Sequence, residues 1–190
     1  MHATMTRQAG ATMIEVLVTM LIVAFGILGL IGLSVKVQMA QADSYQRAQA
    51  ILLVQDMASR ISAGRINAAS YVTASAIGTG DSWTDCSAQT GVNLDKCEWS
   101  MQLKGAGERL DKAADCSGNN CIGATVNALG CVTQVSASPP VYQVQVSWLG
   151  STDLGTPSLT CGSGTTALYP RETLRRTIGA LVPVANLSGT

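Results

Sequence analysis

The chain has 190 residues, twelve basic against twelve acidic, and 47% hydrophobic residues. That length holds one modest domain plus an anchor and leaves no room for a multidomain enzyme. The balanced charge supplies no global electrostatic reason to expect nucleic acid or an anionic surface as main partner.

Residues 1–10 form a polar leader with one arginine, Arg7, and no acid. Positive charge ahead of an apolar run predicts a cytoplasmic start; Lys36, on the far side, weakens that bias. From Met13 to Val35, 23 residues carry Glu15 as their only charge. As a helix rising about 1.5 Å per residue, this run crosses a hydrocarbon core of about 30 Å. The rival reading is a secretory signal cut near Ala40-Gln41-Ala42. Its apolar region would be too long, and a carboxylate at its start would be out of place. Gly26, Gly29 and Gly32 recur every third residue and leave a shallow groove on the helix. Glycine is common in membrane helices, and small residues also permit close helix–helix packing; both readings stand.

Between Lys36 and Ala63 there is no Pro or Gly, and Ala, Gln, Leu and Met are frequent. These are good helix formers, so one helix is predicted from about Thr12 to Ala63, roughly 75–80 Å long, with Gly64 as its stop. Asp43 with Arg47 and Asp56 with Arg60 stand at i,i+4 in the favoured acid-to-base order. Ile51, Val54, Ala58 and Ile61 mark an apolar face that requires cover.

From Arg65 to about Gly80 the composition predicts a connection with a short helix. Strict alternation predicts a strand over Cys97–Leu103, with Cys97, Trp99, Met101 and Leu103 on one face. A second strand is predicted over Tyr142–Trp148, with Tyr142, Val144, Val146 and Trp148 on one face, and a third over Leu174–Val182. Gly105–Asn120 and Gly150–Gly164 read as exposed loops, and Pro139-Pro140 breaks what precedes the second strand. The predicted class is α+β, an antiparallel sheet laid on the outer half of the long helix.

All six cysteines, Cys86, Cys97, Cys116, Cys121, Cys131 and Cys161, follow the apolar segment. An even count on one side predicts disulfides in an oxidising compartment, which agrees with a cytoplasmic N-terminus. Six cysteines allow 15 pairings; neighbour logic favours Cys86 with Cys97, Cys116 with Cys121, and Cys131 with Cys161. A metal site is disfavoured, because no CxxC pair occurs and the single histidine, His2, lies in the leader.

No catalytic constellation stands out. Hydrolysis by a Ser-His or Cys-His pair needs an imidazole, and none follows the leader. Asp81, Asp85, Asp95, Glu98, Asp111 and Asp115 show no spacing that singles out a carboxylate pair, and no phosphate-binding loop is present. We expect no catalytic, cofactor-binding or metal-ligating residue. Arg171, Arg175 and Arg176 beside Tyr169 form the one basic concentration. A solvated strand face, or partners for Glu172, is favoured over nucleic-acid binding.

Glu15 carries the functional expectation. An ionised carboxylate within a bilayer costs several kcal/mol and must find a partner or a proton, unless it sits hydrated at the interface. The stretch Arg7-Gln-Ala-Gly-Ala-Thr-Met-Ile-Glu15 resembles the class III signal of type IV prepilins, in which a peptidase cuts after a glycine and leaves a glutamate at the fifth mature position. Counting from Ala11, Glu15 is fifth. The continuation Met13–Ile22, followed by Gly26, Gly29 and Gly32, is most similar to the PilV (type IV pilus modification) family of minor pilins. The resemblance extends no further than about Ala40.

The resemblance implies a type IV pilin-like fold with four parts: a leader at 1–10, a transmembrane helix half at 11–35, an amphipathic extracytoplasmic half at 36–64 and a globular head at 65–190. It implies cleavage between Gly10 and Ala11 by a prepilin peptidase, and N-methylation of Ala11. The usual first mature residue in the family is Phe, so Ala11 is a departure that bears on methylation. Glu15 would pair with the N-terminal amine of a neighbouring pilin. The implied partners are other minor pilins, the major pilin, a tip adhesin and inner-membrane lipid. The implied role is priming of pilus assembly at or near the tip, with the head in the periplasm beforehand. Pseudopilins of type II secretion systems share the signal, and a membrane-anchored extracytoplasmic adhesin or binding protein is the alternative of a different class.

Overall fold

The uncharged run and the Pro- and Gly-free segment after it form one helix, α1, Met13–Ala63, in the computed structural model, which describes residues 12–81, 85–105 and 125–185. The helix stops where predicted. The Gly64 N–H bonds the Arg60 carbonyl at 2.8 Å, and a Cβ on Gly64 would stand 2.6 Å from the Tyr71 hydroxyl. Glycine allows that approach. The chain divides into two units between Gln41 and Ala42.

In the second unit, a 3₁₀ segment Arg65–Tyr71 follows α1 and leads to the two-residue strand β1, Ile77–Gly78. A 3₁₀ turn, Cys86–Ala88, and helix α2, Gly91–Leu103, come next. Strands β2, Leu129–Ala137, and β3, Pro140–Leu149, form a hairpin. A loop and a 3₁₀ turn, Glu172–Leu174, precede β4, Arg175–Pro183. The strands make one antiparallel sheet in the order β1-β2-β3-β4. Pro139 sits in the β2–β3 turn, where the Ser138–Pro139 peptide is cis, and Pro140 opens β3. A register shift between Gln134 and Ser136 leaves Val135 exposed.

The inner face of the sheet packs on α1. Ala50, Val54, Met57 and Ile61 form one buried cluster with Val132, Tyr142, Val144, Val146, Trp148 and Val182. The helical stripe is displaced from the predicted one: Ile51 and Ala58 are half-buried, and Ala50 and Met57 take the centre. Burying each of the larger side chains contributes about 1.5–3 kcal/mol. The predicted β3 face is as read, with Tyr142, Val144, Val146 and Trp148 all buried.

One reading is corrected. Cys97–Leu103 is not a strand but the C-terminal half of α2. Trp99 and Leu103 stand one helical turn apart and are both fully buried against α1 and β2. The Trp99 indole N–H donates to the Leu53 carbonyl at 2.9 Å. Alternation over seven residues suits a strand, but a tryptophan seeking a core position on α1 and two acids seeking Arg60 are served by a helix. The loop predicted over Gly150–Gly164 is exposed along most of its length, but Cys161 and Gly162 are buried, as are Gln145 and Ser147 on the opposite face of the sheet. The 150–170 loop folds over them, and Leu129, Cys161 and Tyr169 make a second small core there. The Tyr169 hydroxyl donates to the Asn127 carbonyl at 2.8 Å and lies 3.0 Å from the Ser147 hydroxyl.

Candidate membrane and assembly segment

Thr12 opens the helix of the first unit: its carbonyl accepts from the Glu15 N–H at 3.0 Å and the Val16 N–H at 3.3 Å. Glu15 therefore stands in the first turn, where the helix dipole favours a carboxylate. Gly10 and Ala11, the predicted cleavage and methylation positions, lie outside the described residues. The side chains that follow are open to the surroundings, from Met13 at 89% and Phe25 at 70% to Met39 at 51% exposure. The polar exceptions are satisfied locally: the Thr19 hydroxyl donates to the Val16 carbonyl at 2.9 Å.

This segment is long and apolar enough to span a membrane, and none of its most apolar window is buried within the protein. The energetics favour a lipid environment. Twelve Leu, Ile, Val and Phe residues lie between Val16 and Leu33, worth on the order of 4–7 kcal/mol on an insertion scale. A charged residue at mid-helix costs about 3 kcal/mol on the same scale. Glu15 sits at the end, so the apolar run prevails. Gly26, Gly29 and Gly32 face open space, since a Cβ at any of them would meet nothing within 4 Å.

The second unit is held by specific polar ties. Arg60, 20% exposed, donates to Asp56 on its own helix at 2.9 Å and to Asp95 and Glu98 of α2 at 2.9 and 2.8 Å. Burial opposes its charge, but the bonds to Glu98 and Asp95 and the Asp56 charge outweigh burial and hold the guanidinium above its usual range. Asp95 also accepts from the Tyr71 hydroxyl, and burial followed by that bond pushes the phenol up to about 12. Asp43 does not take Arg47 as its hydrogen-bond partner; it accepts from the Ser151 N–H and hydroxyl at 3.2 and 2.7 Å.

Two of the three predicted disulfides are present, Cys86–Cys97 and Cys131–Cys161. Cys116 and Cys121 lie outside the described residues. The first staples the turn before α2 to α2; the second fastens the covering loop to β2. The arginine concentration is spent on the same loop. Arg175, 2% exposed, pairs with Glu172 at 2.8 Å and donates to the Leu159 and Cys161 carbonyls. The Gly164 N–H, and then Arg175, hold the Glu172 carboxyl below its usual range. Arg176 donates to the Thr173 and Thr152 carbonyls, and Arg171 pairs with Asp153 at 2.7 Å. Of the two readings favoured for these arginines, pairing with Glu172 describes Arg175 alone, and a solvated strand face does not describe that buried side chain.

The described acids likewise serve local structure. Asp81 accepts from the Gly78 N–H and Asp85 from the Ser87 N–H, at 2.8 and 2.9 Å; Asp111 and Asp115 lie outside the described residues. Among the described residues no group of three or more His, Cys, Asp or Glu is placed to hold a metal ion. Sequence reasoning missed Lys104, 5% exposed at the end of α2 beside a cleft of about 500 Å³. Burial lowers its pKa and the Asp81 charge opposes that shift. It also missed the Asp95–Glu98 pair as a counter-charge for Arg60, for which their i,i+3 spacing was the available signal. No family model, curated protein or solved structure matches the chain.

Proposed function

We propose that this chain is a minor pilin of a type IV pilus, anchored in the inner membrane by the first half of α1 and carrying its head in the periplasm before assembly. One observation carries the reading: α1 begins with a lone acid in its first turn, runs exposed and uncharged through Val35, and continues unbroken to residues that form the core of an antiparallel sheet. The resemblance of residues 7–33 to prepilins gives that architecture its functional sense. A prepilin peptidase cuts between Gly10 and Ala11 and methylates the Ala11 amine. Glu15 then pairs with the terminal amine of a neighbouring subunit, an attraction strengthened by the low dielectric of lipid. This sets the axial register as subunits leave the bilayer for the filament. Gly26, Gly29 and Gly32, with no side chains to obstruct them, allow neighbouring helices to approach closely. The protein joins other minor pilins and the major pilin, primes assembly and sits at or near the tip, where an adhesin can be carried.

The test is Glu15→Ala in the native cell. The variant is expected to remain membrane-inserted with both described disulfides formed, while its recovery in sheared pili and with other pilins falls sharply. Absence of parent and variant alike from sheared pili, with both equally membrane-inserted, would favour a membrane-anchored adhesin or binding protein that never enters a filament. Incorporation instead into a secretion apparatus would assign the chain to the pseudopilins.

A further inference from the structure

The outer side of β4 carries backbone groups that have no partner among the described residues. Two hydrogen bonds fix which residues face inward: the Val184 N–H donates to the Pro140 carbonyl at 3.0 Å, and the Gly150 N–H to the Leu174 carbonyl at 2.8 Å. Antiparallel pairing alternates, so the even-numbered residues of β4 exchange bonds with β3. Thr177, Gly179 and Leu181 turn their N–H and C=O groups outward. At one end of this row the chain closes itself off: the Thr173 carbonyl is taken by the Leu154 N–H, and the Arg175 N–H by the Glu172 carbonyl. At the other end Pro183 has no N–H to offer. Between them, three donors and three acceptors have no partner among the described residues. Gly179 is exposed and Leu181 is 60% exposed.

Edge strands are ordinarily blunted by charge, proline, brevity or cover. At the opposite edge β2 is covered by β1 and by Thr73, whose N–H donates to the Val132 carbonyl at 3.0 Å. β4 has nine residues, and from Thr177 to Val182 it carries neither charge nor proline. Of the cations at its start, Arg176 is drawn back onto the Thr152 and Thr173 carbonyls and Arg175 onto Glu172.

We infer that β4 accepts an extended, uncharged strand from a different pilin-type subunit by β-augmentation, so that the sheet continues from one subunit to the next. The unpaired row specifies the occupant: a segment free of proline with its own outward N–H and C=O at three alternate positions, and an apolar side chain to lie beside Leu181. A second copy is the poorer occupant. Antiparallel pairing of β4 with itself needs a two-fold axis normal to the sheet. That axis turns the two α1 segments 42–63 end for end, whereas the heads of subunits in a filament of one polarity all point the same way. In naming a pilin-type subunit as the partner, the inference rests on the function proposed above.

The test uses the full-length tagged protein extracted in dodecyl maltoside from its native cell, with its co-purifying pilin-type subunits identified by mass spectrometry. Amide hydrogen exchange is read residue by residue with and without those subunits. The expected result is that Thr177, Gly179 and Leu181 slow at least about tenfold when the partner is present, while Ile178, Ala180 and Val182 are protected in both states. Leu181→Pro, which removes one outward donor and leaves the bonds to β3 intact, is expected to reduce partner recovery about fivefold, the worth of one net hydrogen bond. Leu181→Ser is expected to retain it. The wild-type exchange pattern decides the matter even where Leu181→Pro fails to fold. A recovered partner with the three amides exchanging freely overturns the inference and leaves the pilin reading standing. Protection of the same amides in the purified chain alone overturns the choice of a different subunit. Recovery of no pilin-type subunit by the wild type removes both the inference and the function on which it rests.

Discussion

Gly130→Ala places one methyl group where α2 meets β2. A Cβ at Gly130 would lie 2.3 and 2.5 Å from two ring carbons of Trp99 and 2.7 Å from a methyl of Leu103. Ordinary carbon contacts are about 3.5–4.0 Å, so the indole must retreat by roughly 1 Å or more. It has nowhere to go, because Trp99 is completely buried and its N–H is held by the Leu53 carbonyl at 2.9 Å. Overpacking of this kind costs about 1–3 kcal/mol, and losing the indole hydrogen bond adds about 1 kcal/mol. The expected loss is therefore about 2–4 kcal/mol. In the detergent-solubilised, disulfide-intact protein it is measured by urea unfolding followed by tryptophan fluorescence, with Gly155→Ala as the control. A Cβ at Gly155 meets nothing within 4 Å, so the control should stay within about 0.5 kcal/mol of the parent. A Gly130→Ala variant that matches this control would refute the packing of α2 on β2 described here.

Arg60→Met leaves Asp56, Asp95 and Glu98 facing one another without their cation; a loss of about 1–2 kcal/mol is expected by urea titration, smaller in high salt because the acids are partly solvated. Replacing both Cys131 and Cys161 by Ala frees a loop of sequence separation 30, and on the chain-entropy estimate costs about 3–4 kcal/mol, read by the same titration. Glu172 has its folded pKa lowered from an ordinary value of 4.5, so its contribution is present above that value and is lost as pH falls through the lower folded one. Acid titration of stability should be shallower below pH 4.5 in Glu172→Gln than in the parent. Tyr71 is raised from 10.0 to about 12, so its contribution is intact below pH 10 and declines as pH rises toward 12; Tyr71→Phe should weaken that alkaline decline.

Much of the architecture was legible because it rests on composition and period. An uncharged run followed by a Pro- and Gly-free run can hardly be other than α1, and Gly64 marks its end. Tyr142–Trp148 alternates because one face of β3 lies on that helix. The cysteine neighbours paired as expected where they are described. What failed was decided by tertiary contact. Trp99 and Leu103 satisfy a strand period and a helical turn equally well, and their docking against α1 and β2 chose the helix. β2 went unread because Gly130 and Cys131 interrupt its apolar pattern, although Cys131-Val-Thr-Gln-Val135 is rich in β-branched residues. The 150–164 segment has the composition of an exposed loop, yet Cys161 and the buried Arg175 fasten it over Gln145 and Ser147. The candidate assembly residue was plain from sequence, since Glu15 is the only charge in its run; the open backbone of β4 is a property of the sheet and has no signature in side chains.

The most direct measurement of the central claim is the intact mass and N-terminal sequence of the protein isolated from membranes under non-reducing conditions, with and without an active prepilin peptidase. A minor pilin starts at Ala11 in a peptidase-dependent manner, carries one added methyl group and has lost two hydrogens for each disulfide. A start at Asp43, or an uncut Met1 in the presence of the active peptidase, would contradict that claim.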